Sequence, residues 1–269
     1  MSPLSSSWPW LLMVPVFACA PRLGVTREAA GELSLMRLLP VRGGDLGWSG
    51  ELEPGENRFG LNLLGIYAEG ENVFLYGGLV FGGRPYRSTV LTSNDSGVTW
   101  RETLAPYENS EITQVQFVGC SGWAISGWRQ DEPGDLILLG SGDCGKAWFT
   151  LSELPKTDPS GWPVALEFED TFNGVITLAY QAPDLERGYL RTGDGGRTWQ
   201  ETFAHARADE PGRTRWEFTS DGGEGWKLES QRGHYVISRR PNAQTPWRVA
   251  AVLPGWLKVE DGEFRALAR

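Results

Sequence analysis

The sequence predicts an all-β fold in which one four-stranded sheet is repeated around an axis. Three observations predict it. The stretches "SNDSGVTW", "SGDCGKAW" and "TGDGGRTW" end at Trp100, Trp148 and Trp199, 48 and 51 residues apart. In each, an aspartate (Asp95, Asp143, Asp194) lies five residues before the tryptophan and a glycine (Gly97, Gly145, Gly196) two after the aspartate. A second landmark keeps the same period: the apolar anchors Ile66, Phe117, Phe168 and Phe218 are 51, 51 and 50 residues apart, each followed by a short glycine-containing turn. Composition is the third observation, with 35 glycines, 13 tryptophans and 40% hydrophobic residues, which suits many turns around a sizeable core. Fixed self-similarity of this length marks stacked units.

Within each unit the runs between landmarks read as strands. "STVLTS", "DLILLG", "YLRTG" and "HYVISR" are short and rich in β-branched and aromatic residues. Helical periodicity is not sustained over a useful length. Four strands per unit of this size make the blade of a β-propeller. A weaker fourth copy, "RPNAQTPW", places Asn242 five residues before Trp247. Four units occupy residues 59–254, and the stretches before and after them are each long enough for about two strands. Joining the two ends in one sheet would hide its edges, so five blades are expected, the last closed by both termini.

The Gly-rich stretch could in principle cradle a phosphate or a calcium ion. A phosphate loop needs a lysine after its last glycine and a helix behind it. Arg197 follows here, and "TWQETF" reads as strand. A calcium loop needs acidic ligands at alternate positions and a closing glutamate, whereas Asp194 stands alone. A turn remains. Glycine permits the positive φ that a tight reversal requires, the aspartate accepts N–H groups that the reversal leaves unpaired, and the tryptophan opens the outer strand with a large apolar surface. Asp95, Asp143 and Asp194 are therefore read as structural.

The box S/T-x-D-x-G-x-T-W resembles the Asp-box, or BNR repeat, of sialidases, sortilin-type receptors and photosystem II assembly-factor propellers. The element from Phe117 to Gly127, "F…GWA.SG", looks most like the assembly-factor type. The resemblance covers about residues 59 to 250. Ala147 replaces the threonine of the second box, and the fourth box has lost Asp, Gly and the Ser/Thr. The resemblance implies a β-propeller and, for the assembly-factor group, a non-enzymatic binding or assembly scaffold. A sialidase would need three arginines for the substrate carboxylate, a tyrosine paired with a glutamate as nucleophile, and an acidic general acid/base. Arg84 and Arg87 in "GRPYRS" come nearest to such an arginine motif. The fold does not choose between these functions.

The opening residues suggest export. "WPWLLMVPVFAC" carries twelve residues of largely apolar character, short for a bilayer span and suited to a secretory leader. Its end resembles a bacterial lipobox with Cys19 as the lipidated residue; cleavage as an ordinary signal peptide is the alternative. The expected organisation is a leader over 1–19, a short linker over 20–31 and one domain over 32–269. The expected location is the periplasm or the outer membrane of a bacterium, as a lipoprotein. Cys120 and Cys144 then remain as an even pair. They fall in the first and third turns of one blade, which emerge on the same side of an up-and-down sheet, so a bridge and two inert thiols are both open.

The turns between second and third strands should gather on the face opposite the boxes. They hold Arg84, Tyr86, Arg87, Trp128, Arg129, Arg187, Arg232 and His234. Arginine and aromatic side chains on one face suit recognition of carboxylates or a protein partner, although polar surface turns are common in any fold. Asp131, Glu132, Asp135, Asp184 and Glu186 make that face mixed in sign. A net charge of −9 and a pI of about 4.9 argue against nucleic acid. Two histidines and three scattered cysteines give no metal-ligand spacing, and no cofactor is implied. The expected partner is another protein or a membrane complex, with the membrane reached through a lipid anchor.

Overall fold

In the computed structural model the described residues are 32–34, 36–37, 58–104, 107–127, 136–156, 161–180, 188–203, 217–220, 223–231, 233–260 and 263–266. They form strands and turns, with no helix among them. Four antiparallel sheets of four strands carry the repeat. The first is β3 (Arg58–Glu69), β4 (Asn72–Phe81), β5 (Arg84–Ser93) and β6 (Thr99–Glu102). The second is β7 (Glu111–Val118), β8 (Ser121–Gly127), β9 (Ile137–Ser141) and β10 (Phe149–Glu153). The third is β11 (Gly161–Phe168), β12 (Gly174–Tyr180), β13 (Gly188–Thr192) and β14 (Gln200–Phe203). The fourth is β15 (Glu217–Thr219), β16 (Gly225–Gln231), β17 (His234–Arg240) and β18 (Arg248–Pro254). Each is an up-and-down meander, so the chain is an all-β propeller of four-stranded blades.

The chain ends meet in one sheet. β2 (Met36–Arg37) pairs with β20 (Glu263–Ala266), which pairs with β19 (Trp256–Glu260). β19 in turn pairs with β3 through Trp256↔Gly60, Leu257↔Phe59 and Lys258↔Arg58. The union of both termini is the closure anticipated above, but their strands extend the first sheet instead of standing as a separate fifth. On the far edge of that sheet, β1 (Glu32–Ser34) runs parallel to β6.

Period-two alternation sends each strand into two different cores. On β4, Val73, Leu75 and Leu79 join a cluster shared with Trp226, Leu228, Tyr235, Ile237 and Leu253 of the fourth sheet. Between them, Phe74 and Tyr76 join a cluster shared with Ile112, Phe117, Leu139 and Trp148 of the second sheet. On β8 the pattern repeats: Ala124 belongs to that cluster, while Trp123 and Ile125 pack with Leu166, Phe168, Ile176 and Leu190 of the third sheet. Apolar packing therefore joins the sheets in the order fourth, first, second, third.

The box glycines are seated in these junctions. A methyl group at Gly145 (φ 74°) would lie 2.5 Å from the Phe74 ring, and one at Gly196 2.5 Å from Leu138. Gly97 lies against Trp226 and Ala250. Each box thus rests on the sheet before it, and the first box rests on the fourth sheet.

Candidate functional site

The boxes form three copies of one hydrogen-bond pattern. Asp95 Oδ1 accepts the N–H groups of Val98 (3.1 Å) and Thr99 (2.8 Å), and Oδ2 accepts the Thr99 hydroxyl (2.6 Å). Ser93 Oγ donates to Asp95 Oδ1 (2.8 Å) and accepts the Gly97 N–H (2.8 Å). In the third box Asp194 accepts Arg197 N–H (3.0 Å), Thr198 N–H (2.9 Å) and the Thr198 hydroxyl (2.6 Å). Asp143 accepts Lys146 N–H (2.9 Å) and Ala147 N–H (3.0 Å), with no hydroxyl at position 147 to reach its second oxygen. The tryptophans close two of the turns, Trp100 Nε1 and Trp199 Nε1 each donating 3.1 Å to the box glycine carbonyl.

Acceptance of several donors stabilises the charged carboxylate. The Thr198 hydroxyl, its N–H and the Thr192 hydroxyl bring Asp194 down to about 2. The Ala147 N–H lowers Asp143, against opposing burial. Burial pushes Asp95 up, but bonds from Thr99, Ser93 and Val98 outweigh it and leave it lowered. A carboxylate so engaged is a poor proton donor and a poor nucleophile. In the fourth copy Asn242 Oδ1 accepts the Gln244 N–H (3.1 Å) and the Thr245 hydroxyl (2.7 Å), a reduced version of the same turn.

Cys120 and Cys144 form a disulfide, with Cα atoms 4.0 Å apart. The Cys144 N–H also donates to the Cys120 carbonyl (3.0 Å), as Gly195 N–H does to Phe172 O (2.8 Å) in the next sheet. Bridge and hydrogen bond tie the first turn of a sheet to its own box. Cys19 lies outside the described residues.

The opposite end of the sheets carries the other candidates. Antiparallel order puts the β4–β5 turn, the start of β7 and the β16–β17 turn at this end. Arg84 is exposed at the first of these turns. Tyr86 is half-buried, its ring 5.1 Å from that of Phe59. Arg87 differs: it is 3% exposed, and its Nη2 donates to Glu102 Oε2 at 2.8 Å while Thr89 donates to Oε1 at 2.7 Å. Burial pushes the Glu102 carboxyl up, and the Arg87 charge opposes it. Arg87 therefore serves the interior of the first sheet and not its surface. His234 is half-buried at the start of β17. Trp128, Arg129, Arg187 and Arg232 lie outside the described residues.

Three side chains at this end escaped sequence reasoning. Asn62 Nδ2 donates to Glu111 Oε1 (2.6 Å), joining the inner strands of the first and second sheets. Burial raises the Glu111 carboxyl, with the Asn62 bond opposing, and its side chain lies over Gly78. Tyr235 donates its hydroxyl to Leu61 O (2.9 Å) and accepts the Leu63 N–H (3.1 Å). Burial raises its pKa, and the nearby Glu111 charge adds to the rise. Their sequence context is ordinary strand, so only the three-dimensional meeting of β3, β7 and β17 singles them out. Among the described residues no group of three or more His, Cys, Asp or Glu could hold a metal ion. No helix among them is long and apolar enough to cross a membrane.

No protein-family model matches the sequence, and no curated protein does. Solved structures similar to it include YCF48 bound to D1 peptide, at 20% identity and a TM-score of 0.38 over 74% of this chain and 59% of that one. A GH74 xyloglucanase from Xanthomonas campestris is similar at 13% identity and a TM-score of 0.36, over 68% of this chain and 28% of that one. A putative exo-β-1,3-galactanase from Bifidobacterium bifidum is similar at 15% identity and a TM-score of 0.41, over 72% of each chain. The chain spans 59% and 28% of the lengths of the first two. Likenesses of this size say nothing about what the chain binds or turns over.

Proposed function

We propose that the protein is a non-enzymatic binding or assembly scaffold, exported and tethered to a membrane through lipid on Cys19, that engages a protein partner on the face holding Arg84 and His234. The observation that carries this reading is the employment of its acids and its arginine. The box carboxylates each hold their own turn, and Arg87 is closed in an ion pair with Glu102. These carboxylates and Arg87 are thus committed to folding. Exposed Arg84 and half-buried Tyr86 and His234 offer ionic, aromatic and hydrogen-bonding contact of the kind protein interfaces favour.

One observation favours a glycoside hydrolase of sialidase type: the Glu111 charge adds to the burial that raises the Tyr235 hydroxyl, and a tyrosine–glutamate couple is the nucleophile that class requires. Against it, both the proton and a lone pair of the Tyr235 hydroxyl are engaged by the backbone of β3. A fluorogenic sialoside separates the readings. The scaffold shows no turnover, and cross-linked capture from its own membranes retains a partner that Arg84→Glu loses. Turnover abolished by Tyr235→Phe or Glu111→Gln would establish the hydrolase instead. Mass spectrometry of the N-terminus tests Cys19, with a diacylglycerol-modified cysteine expected.

A further inference from the structure

Three junctions of the propeller are built alike, and the one between the third and fourth sheets is not. Each of the three has a large aromatic residue on the second strand of the leading sheet to receive the next box. Phe74 receives Gly145, Trp123 donates its Nε1 to Gly195 O at 2.9 Å, and Trp226 lies against Gly97. The corresponding residue of the third sheet is Val175, only half-buried. In the fourth box Gln244 stands where the other three have the box glycine, exposed where Gly97, Gly145 and Gly196 are buried.

The polar ties tell the same story. Tyr67 donates to Phe117 O (3.0 Å) across the first and second sheets. Gln116 brackets Phe168 across the second and third, donating to its carbonyl (3.0 Å) and accepting its N–H (2.5 Å). Tyr235 brackets Leu61 and Leu63 across the fourth and first. One repeat after Gln116, on β11, stands Glu167, which is exposed. A buried amide has given way to a solvated carboxylate.

The sides of β12 and β16 turned away from the apolar clusters agree. Alternation along β12 turns Ile176 and Leu178 into the core shared with the second sheet, leaving half-buried Val175, Thr177 and Ala179 on the other side. On β16, Trp226 and Leu228 enter the core shared with the first sheet. Lys227 and Glu229 face away from it, paired with each other at 2.9 Å and 35% and 40% exposed. Among the described residues, none of the three apolar clusters bridges the third and fourth sheets.

We infer that the ring is latched at three junctions and opens at the fourth, the third and fourth sheets parting along a polar seam. Small and polar neighbours lose little when water enters between them, whereas any other junction would expose a dry aromatic core. The β12 strand and the β16–β17 pair belong to the two sheets on either side of this seam, so its opening changes the spacing between their ends on the candidate face.

Pulsed dipolar spectroscopy on the full chain tests this, with spin labels on p-acetylphenylalanine so that the cysteines stay untouched. A pair at Thr171 and Gln244 spans the seam, and a pair at Glu71 and Lys146 spans the first and second sheets; all four positions are exposed. The expected result is a broad or two-component distance distribution for the first pair and a single narrow one for the second. Equally narrow distributions would overturn the inference, and so would equally broad ones, because opening would not then be confined to one junction. The narrow 71/146 distribution doubles as evidence that the labelled ring is folded.

Discussion

Asp194 shows how one side chain couples the fold to pH. Its folded value of about 2 lies below the ordinary 3.8, chiefly through the Thr198 hydroxyl. A depressed carboxylate adds stability that is fully present above its unfolded value and is lost as pH falls through the folded one. The window is therefore roughly pH 4 down to 2. Glu102 and Glu111 act in the opposite sense, since burial raises both and protonation relieves them. The effect of Asp194 must accordingly be isolated by difference. Thermal melts of the wild type and Asp194→Asn should differ clearly at pH 5 and converge by pH 2. A constant offset across that range would mean that the carboxylate charge contributes nothing to the turn. This role was legible beforehand, because a lone aspartate among glycines lacks the companions that metal or phosphate chemistry requires. The burial of Arg87 was not legible. "GRPYRS" reads as a surface turn, and only the register that pairs Leu91 with Glu102 brings Glu102 beneath it.

At the scale of the element, the second box differs from its neighbours in two linked ways. It lacks the threonine hydroxyl that reaches the second carboxylate oxygen at Asp95 and Asp194, since Ala147 stands there. It also carries the disulfide, from Cys144 in the box to Cys120 in the first turn of the same sheet. The covalent tie holds together two turns that the third sheet joins without one, through Gly195 N–H and Phe172 O. With the cysteines 24 positions apart in the sequence, removing the bridge should cost about 3 kcal/mol by the loop-closure argument. Ala147→Thr restores one charge-assisted hydrogen bond, worth about 1 kcal/mol where the carboxylate stays solvated. Urea unfolding of Cys120→Ser/Cys144→Ser should show the first loss, and adding Ala147→Thr to that variant should return part of it. A double-serine variant as stable as the wild type would mean that the turns are held without the bridge. The departure at position 147 was visible in the sequence. Its relation to the cysteines required the two turns to be placed side by side.

For the whole molecule the decisive question is how a repeated sheet stops repeating. The period predicted the four-stranded units because the box tryptophan and the apolar anchor recur together. It did not predict where the surplus ends would pair, because neither end carries a box to set its register. The structure places them on the inner strand of the first sheet, where Leu61 N–H donates to Gly255 O at 2.8 Å and Trp256 approaches Gly60. Gly255 N–H in turn donates to Gly233 O at 3.0 Å, so the exit from the fourth sheet is stitched to its own β16–β17 turn and to β3. Ending the chain at Pro254 removes β19 and β20 and bares the open edge of β3, with the apolar Phe59 and Leu61 beside it. A bared strand edge both loses ladder bonds and invites pairing between molecules. The truncated protein should melt roughly 5–10 °C lower, the shift expected for the loss of a few kcal/mol in a domain of this size. Size-exclusion chromatography should show concentration-dependent association that the full chain lacks. A truncated chain that stays monomeric and melts with the wild type would mean that the four box-bearing sheets close the fold by themselves, leaving the terminal strands as an attachment.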